Sequence, residues 1–232
     1  MKKVTGNKLS AEMIQILIGI LVFGSIWGLL EATLGGVMHL VNFPNTGAIM
    51  SGVGMALMGI ALAFYRKPVM LIGIGAIAAT FKLLNVWILL IPANVPHIIN
   101  PIAAIILEAA AFSLITSFLM NLITKSNYAV VWAAFLAGML SAFSFALVAV
   151  YLTHIPINAR VGMDSVREFV LVNGLVQSAF AGVFVPIGYM LGRKLATITP
   201  NVLRRRTLYY TVSASTVLLC WGFSALAVMV GL

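Results

Sequence analysis

Long apolar runs separated by short polar interruptions make up almost the whole chain. The runs are continuous and lack the period-two alternation of membrane strands. A helix needs about 20 residues to cross roughly 30 Å of bilayer hydrocarbon. Runs bounded by charges, prolines and turn residues reach that length at 12–34, 48–65, 69–91, 101–122, 128–152, 169–191 and 208–231. Tyr65-Arg66-Lys67-Pro68 and Thr124-Lys125-Ser126-Asn127 read as tight turns between antiparallel helices. The pattern predicts an all-α integral membrane protein, a bundle of about seven transmembrane helices. Residues 1–194 form a six-helix unit with an outward-facing pocket, and residues 195–232 a basic linker and a C-terminal helix.

Composition agrees with this class. The 232 residues are 62% hydrophobic and 8% charged, against about 25% charged in soluble domains. A net charge of +9 raises the question of nucleic acid, but the basic residues lie between apolar runs, as topology signals do. With the N-terminus inside, the inner segments hold 11 of the 14 Lys and Arg, including Arg66, Lys67, Lys125, Arg193, Lys194 and Arg204-Arg205-Arg206. Seven spans then place the C-terminus outside, in a prokaryotic cytoplasmic membrane. No cleavable signal peptide is expected, because the first run is long and no small-residue cleavage site follows it. The single Cys220 excludes an intramolecular disulfide framework and any cysteine cluster for zinc or iron–sulfur.

Ionisable groups inside a membrane are costly and point to function by default. On this topology they gather in the outer half. Glu31 lies near the outer end of the first helix. Lys82 lies roughly 14 Å deep in the third and Glu108 roughly 10 Å deep in the fourth, at 1.5 Å per residue. Asn85 shares a face with Lys82, and Asn173 shares one with Gln177. His39, His97 and His154 fall at outer helix ends. These residues predict a pocket open to the outside, with Glu31, His39, Lys82, Asn85, His97, Glu108, Asn173 and Gln177 orienting a small ligand. Trp27, Phe81 and Trp87 are candidates for stacking on it. A structural alternative is an ion pair of Lys82 with Glu108 or Glu31, the amides satisfying one another.

The outer loops at 35–47 and 92–101 are apolar or proline-rich and read as segments folded back into the bundle. The third loop, 153–168, is longer and charged, and reads as a cover or a solvated connection. Gly19, Gly24 and Gly28, with Gly52, Gly54 and Gly59, mark close helix approach. Internal packing is the favoured reading, and a docking face for another subunit is the alternative. A metal site on His39, His97 and His154 is disfavoured, because no pair has the i, i+4 spacing of helical ligands. No nucleophile motif, phosphate loop or HExxH is present, so neither an enzyme nor a cofactor is the leading expectation.

Gly24-Ser25-Ile26-Trp27-Gly28-Leu29-Leu30-Glu31, followed by Gly35-Gly36, His39, Pro44 and Gly47, resembles the first helix and loop of some S components of energy-coupling factor transporters. The resemblance spans roughly residues 12–194 and rests on architecture more than on a diagnostic motif. It implies capture of a vitamin, a precursor or a metal ion from outside. It also implies a membrane T component and ATPase subunits as partners, with small residues of the first helix facing the T component. The seventh span departs from the usual six. Lys2 stands where cobalt and nickel members have histidine, which argues against those members and against His39 as a metal ligand. Rival readings are an anchor subunit of a larger, possibly redox, complex and a metal-dependent membrane enzyme.

Overall fold

The computed structural model describes residues 3–152, 163–198 and 206–232. Every regular element among them is helical. They are α1 (Lys3–Ala32), α2 (Leu34–Leu40), α3 (Thr46–Tyr65), α4 (Met70–Thr80), α5 (Leu83–Leu89), α6 (Pro96–Ile123), α7 (Asn127–Leu147), α8 (Met163–Phe169), α9 (Leu175–Ile198) and α10 (Arg206–Met229). Short π-helical turns follow α7 at Val148–Leu152 and α8 at Val170–Gly174. Seven helical stretches are long and apolar enough to cross a bilayer: Glu12–Leu40, Thr46–Tyr65, Met70–Leu89, Pro96–Ile123, Asn127–Tyr151, Met163–Thr197 and Thr207–Met229. The chain is a multi-pass membrane protein of the all-α class.

The first, fourth and sixth spans run past their expected ends. The first continues through Thr33, whose backbone N–H and hydroxyl both donate to the Leu29 carbonyl, at 2.9 and 2.7 Å. The backbone N–H of Val37 in turn donates to the Thr33 carbonyl at 2.9 Å. The sixth begins at Met163, because α8 and its π turn lead into α9. The third span is the opposite case and breaks between α4 and α5. There the N–H groups of Phe81, Lys82 and Leu84 reach back only three residues, to Ala78, Ala79 and Phe81. Such tightened turns inside a helix often mark functional positions, and Lys82 sits in this one. The loop expected at 92–101 is mostly helix, since Pro96 opens α6 and Pro101 lies within it. Pro96 costs no hydrogen bond at the first helical position, whereas Pro101, inside the helix, removes one.

Six spans form a closed ring. The first packs on the third, the third on the fourth, the fourth on the fifth, the fifth on the sixth and the sixth on the second, which returns to the first. The seventh lies outside this ring, against α1 and α5. Small residues set the close contacts. Gly188 and Gly192, four apart on α9, face the backbone of Ala56 and Ile60 on α3. A Cβ at either glycine would collide with a carbonyl oxygen, so these two helices touch main chain to main chain. Such approach maximises van der Waals contact where lipid removes the hydrophobic drive between helices. Gly24 and Gly28 pack on Ile77 and Phe81 of the third span, and Gly19 on Tyr65. The glycines of the first helix are thus used inside the bundle.

Trp27 is fully buried. Its ring fills the space left by Gly54 on α3 and lies beside Gly75 on α4. It is a packing residue and is not free to stack on a ligand. Trp87 is 77% exposed on the surface. Phe81 is buried and its ring packs on that of Trp221 of the seventh span, centroids 4.3 Å apart and planes tilted by 40°.

Candidate binding site

The end of the bundle opposite Arg66, Lys67 and Lys125 holds a cavity of about 320 Å³. All six ring spans supply polar groups to its wall. Glu31 and His39 come from the first, Thr46 and Ser51 from the second, Lys82 from the third, Asn100 and Glu108 from the fourth, Ser141 from the fifth, and Asn173 and Gln177 from the sixth. Apolar lining comes from Met50, Ile105, Phe145, Phe169 and Val176. A mostly apolar concavity with a few convergent polar groups is the usual form of a small-molecule site.

Local sequence explains the convergence. Glu31, Gly35 and His39 are spaced by four and share a face of the first helix. Gly35 is buried between Glu31 and Met50, where its missing side chain leaves space beside the carboxylate. Phe169, Asn173 and Gln177 form a second stripe at the same spacing, carried through the π turn. The rings of Phe169 and Phe145 lie 5.9 Å apart, inclined at 37°. Two asparagines in left-handed conformation, Asn42 (φ 49°) and Asn45 (φ 57°), turn the chain from α2 into α3. Asparagine tolerates this region better than most residues. The turn brings Asn45, Thr46 and Gly47 to the cavity wall, while Leu40 and Val41 remain exposed. Both halves of the first loop therefore reach the cavity, Gly35 and His39 from α2 and Asn45, Thr46 and Gly47 from the turn.

Two polar groupings organise the site. In the first, the Lys82 ammonium lies 3.3 Å from Glu31 Oε2 and 3.5 Å from the Glu31 carbonyl oxygen. Trp27 Nε1 donates to Glu31 Oε1 at 3.4 Å. In the second, Gln177 Nε2 reaches Ser51 Oγ at 2.9 Å, Glu108 Oε1 at 3.3 Å and Ser141 Oγ at 3.5 Å. One amide thus ties the second, fourth, fifth and sixth spans together. Glu108 is 6% exposed. No ion pair to it is found among the described residues, where Lys82 pairs with Glu31.

A second cavity of about 300 Å³ lies on the other side of the Glu31–Lys82 pair. It is lined by Asn85, Phe81, Gly36 and Leu40, and by Val228, Gly231 and Leu232 from the end of the seventh span. Glu31, His39 and Lys82 border both cavities. The ion pair is a partition between the two chambers.

Six expected residues meet at the main cavity: Glu31, His39, Lys82, Glu108, Asn173 and Gln177. Asn85 faces the second chamber. His97 is exposed at the start of α6 and lines neither. His154 lies outside the described residues, and no three His, Cys, Asp or Glu residues come together among the described ones. Sequence reasoning passed over Ser51, Thr46, Asn100 and Ser141, and over the aromatic pair Phe145 and Phe169. Ser and Thr within a helix often bond their own preceding carbonyls, so hydroxyls in apolar spans carry little signal. The four-residue spacing of Phe169 to Asn173 was the available clue.

No family model, curated protein or solved structure matches this chain.

Proposed function

We propose that the chain is the substrate-capturing subunit of a membrane transport system, taking a small molecule from the external side of a prokaryotic cytoplasmic membrane. The observation that carries this reading is the convergence of polar side chains from all six ring spans on one cavity at one end of the bundle. A structural network needs no such space, whereas a capture site does. The volume of about 320 Å³ stands at the small end of ligand sites, which run from about 300 to 1,000 Å³. It suits a vitamin fragment, a precursor or a similar micronutrient. Basic residues at the opposite end support an external mouth, with the N-terminus inside.

The sequence carries no nucleotide-binding motif, so energy would come from partners. An S-component role would supply a T component and ATPase subunits. In that arrangement the T component would need a surface other than Gly24 and Gly28, because Ile77 and Phe81 already cover them.

Native mass spectrometry of the protein gently extracted from its own host tests the reading. A bound small molecule, with ATPase and T-type partners, is the expected result. Redox subunits with only lipid bound would replace it with the anchor reading.

A further inference from the structure

We infer that the ligand of the main cavity carries a positively charged group, such as a protonated amine or amidine on a flat apolar body, and that Glu108 receives it. The inference rests on the capture reading and adds the charge class of the ligand.

In the sequence, Lys82 favours an anionic ligand and the two glutamates a cationic one. The structure separates them. Lys82 lies 3.3 Å from Glu31, both side chains are largely buried, and their charges cancel. Glu108 is left over. It is 94% buried by difference from its 6% exposure, it borders the cavity, and its hydrogen-bond partners, the amide of Gln177 and the hydroxyl of Ser51, are neutral. The formal charge of the lining is therefore −1, from two glutamates and one lysine with His39 counted as neutral.

Interactions between charges strengthen as the surroundings lose water. A cation here would meet Glu108 in a low-dielectric pocket. An anion would have to pull Lys82 from Glu31 and still lie close to Glu108. The inclined pair Phe145 and Phe169 adds to the preference, since aromatic faces attract cations and hold flat rings. Gln177 spends its amide hydrogens on Glu108 and the neighbouring serines. It thereby holds the carboxyl group of Glu108 in place at the cavity wall.

Three indoles of matched shape test the inference on the full chain in lipid nanodiscs: tryptamine (cationic), tryptophol (neutral) and indole-3-acetate (anionic). Calorimetric titration should rank tryptamine first, about tenfold or more ahead of tryptophol, as one charge-assisted contact predicts. Glu108→Gln should remove that lead, so that tryptamine binds no more tightly than tryptophol to the variant. If this variant fails to fold, the ranking on the unmodified protein decides alone. Tighter binding of tryptophol or indole-3-acetate overturns the charge assignment and leaves capture standing. If none of the three binds and only lipid co-purifies from host membranes, both readings fall.

Discussion

Glu31 and Lys82 meet across a contact that sequence could only offer as one of two pairings. With their side chains only 12% and 16% exposed, removing one partner strands the other. Lys82→Met should destabilise the protein by about 3 kcal/mol, a fall in Tm of roughly 6–12 °C for a chain of this size. Adding Glu31→Gln should restore most of that loss. Thermal unfolding of both single variants and the double variant checks this, and strictly additive effects would show that the pair is uncoupled. Gln177→Ala should cost about 1–3 kcal/mol, because it removes the amide that joins buried Glu108, Ser51 and Ser141. His97→Ala, at an exposed position away from both cavities, should change neither stability nor ligand binding. That Glu31, Lys82, Glu108, Asn173 and Gln177 gather towards one end of the bundle was legible in the sequence, because charges and amides are conspicuous in apolar spans. The pairing was not, since choosing between Glu31 and Glu108 for Lys82 requires the azimuth of three helices. The break after Thr80, which sets where Lys82 points, has no proline or glycine to announce it.

At the scale of the helices, length and apolarity made all seven spans readable, with their ends set by local hydrogen bonds that hydropathy does not register. Which helices touch is decided by small residues, and the internal packing expected of Gly19, Gly24 and Gly28 is what the structure has. Gly188 and Gly192, which drew no attention in the sequence, bring α9 against the backbone of Ala56 and Ile60. A glycine says that something comes close, and only the fold says what. Gly188→Val should therefore separate α3 from α9 and remove folded protein, read as loss of the monodisperse peak in size-exclusion chromatography. Gly222 on the seventh helix meets nothing within 4 Å. Gly222→Ala should be neutral or stabilising by about 0.5–1 kcal/mol from helix propensity. Equal damage from both changes would mean that the helix contacts are wrongly placed.

The arrangement of the whole molecule joins two asymmetries that arise independently. Cations cluster at the end that holds Arg66, Lys67, Lys125, Arg193 and Lys194, and the ligand-sized space lies at the other. The positive-inside bias acts during insertion and knows nothing of the cavity, so under the proposed orientation, N-terminus inside, the cavity would open to the outside. Orientation can be read with single cysteines after Cys220→Ser, which leaves the chain without thiols. Val41 is 64% exposed at the cavity end, and Tyr128 is 82% exposed at the basic end. In intact cells a membrane-impermeant maleimide should label Val41→Cys and spare Tyr128→Cys, and in inverted vesicles the pattern should reverse. The reverse pattern in intact cells would turn the cavity towards the cytoplasm, where a capture subunit for uptake has nothing to capture. The same reagent can probe the cavity itself. Ser51 is 3% exposed but borders the cavity, so Ser51→Cys should react slowly from outside and be protected by tryptamine. Labelling at Val41→Cys that tryptamine leaves unchanged, alongside protection at Ser51→Cys, would localise the ligand to the chamber between the six ring spans.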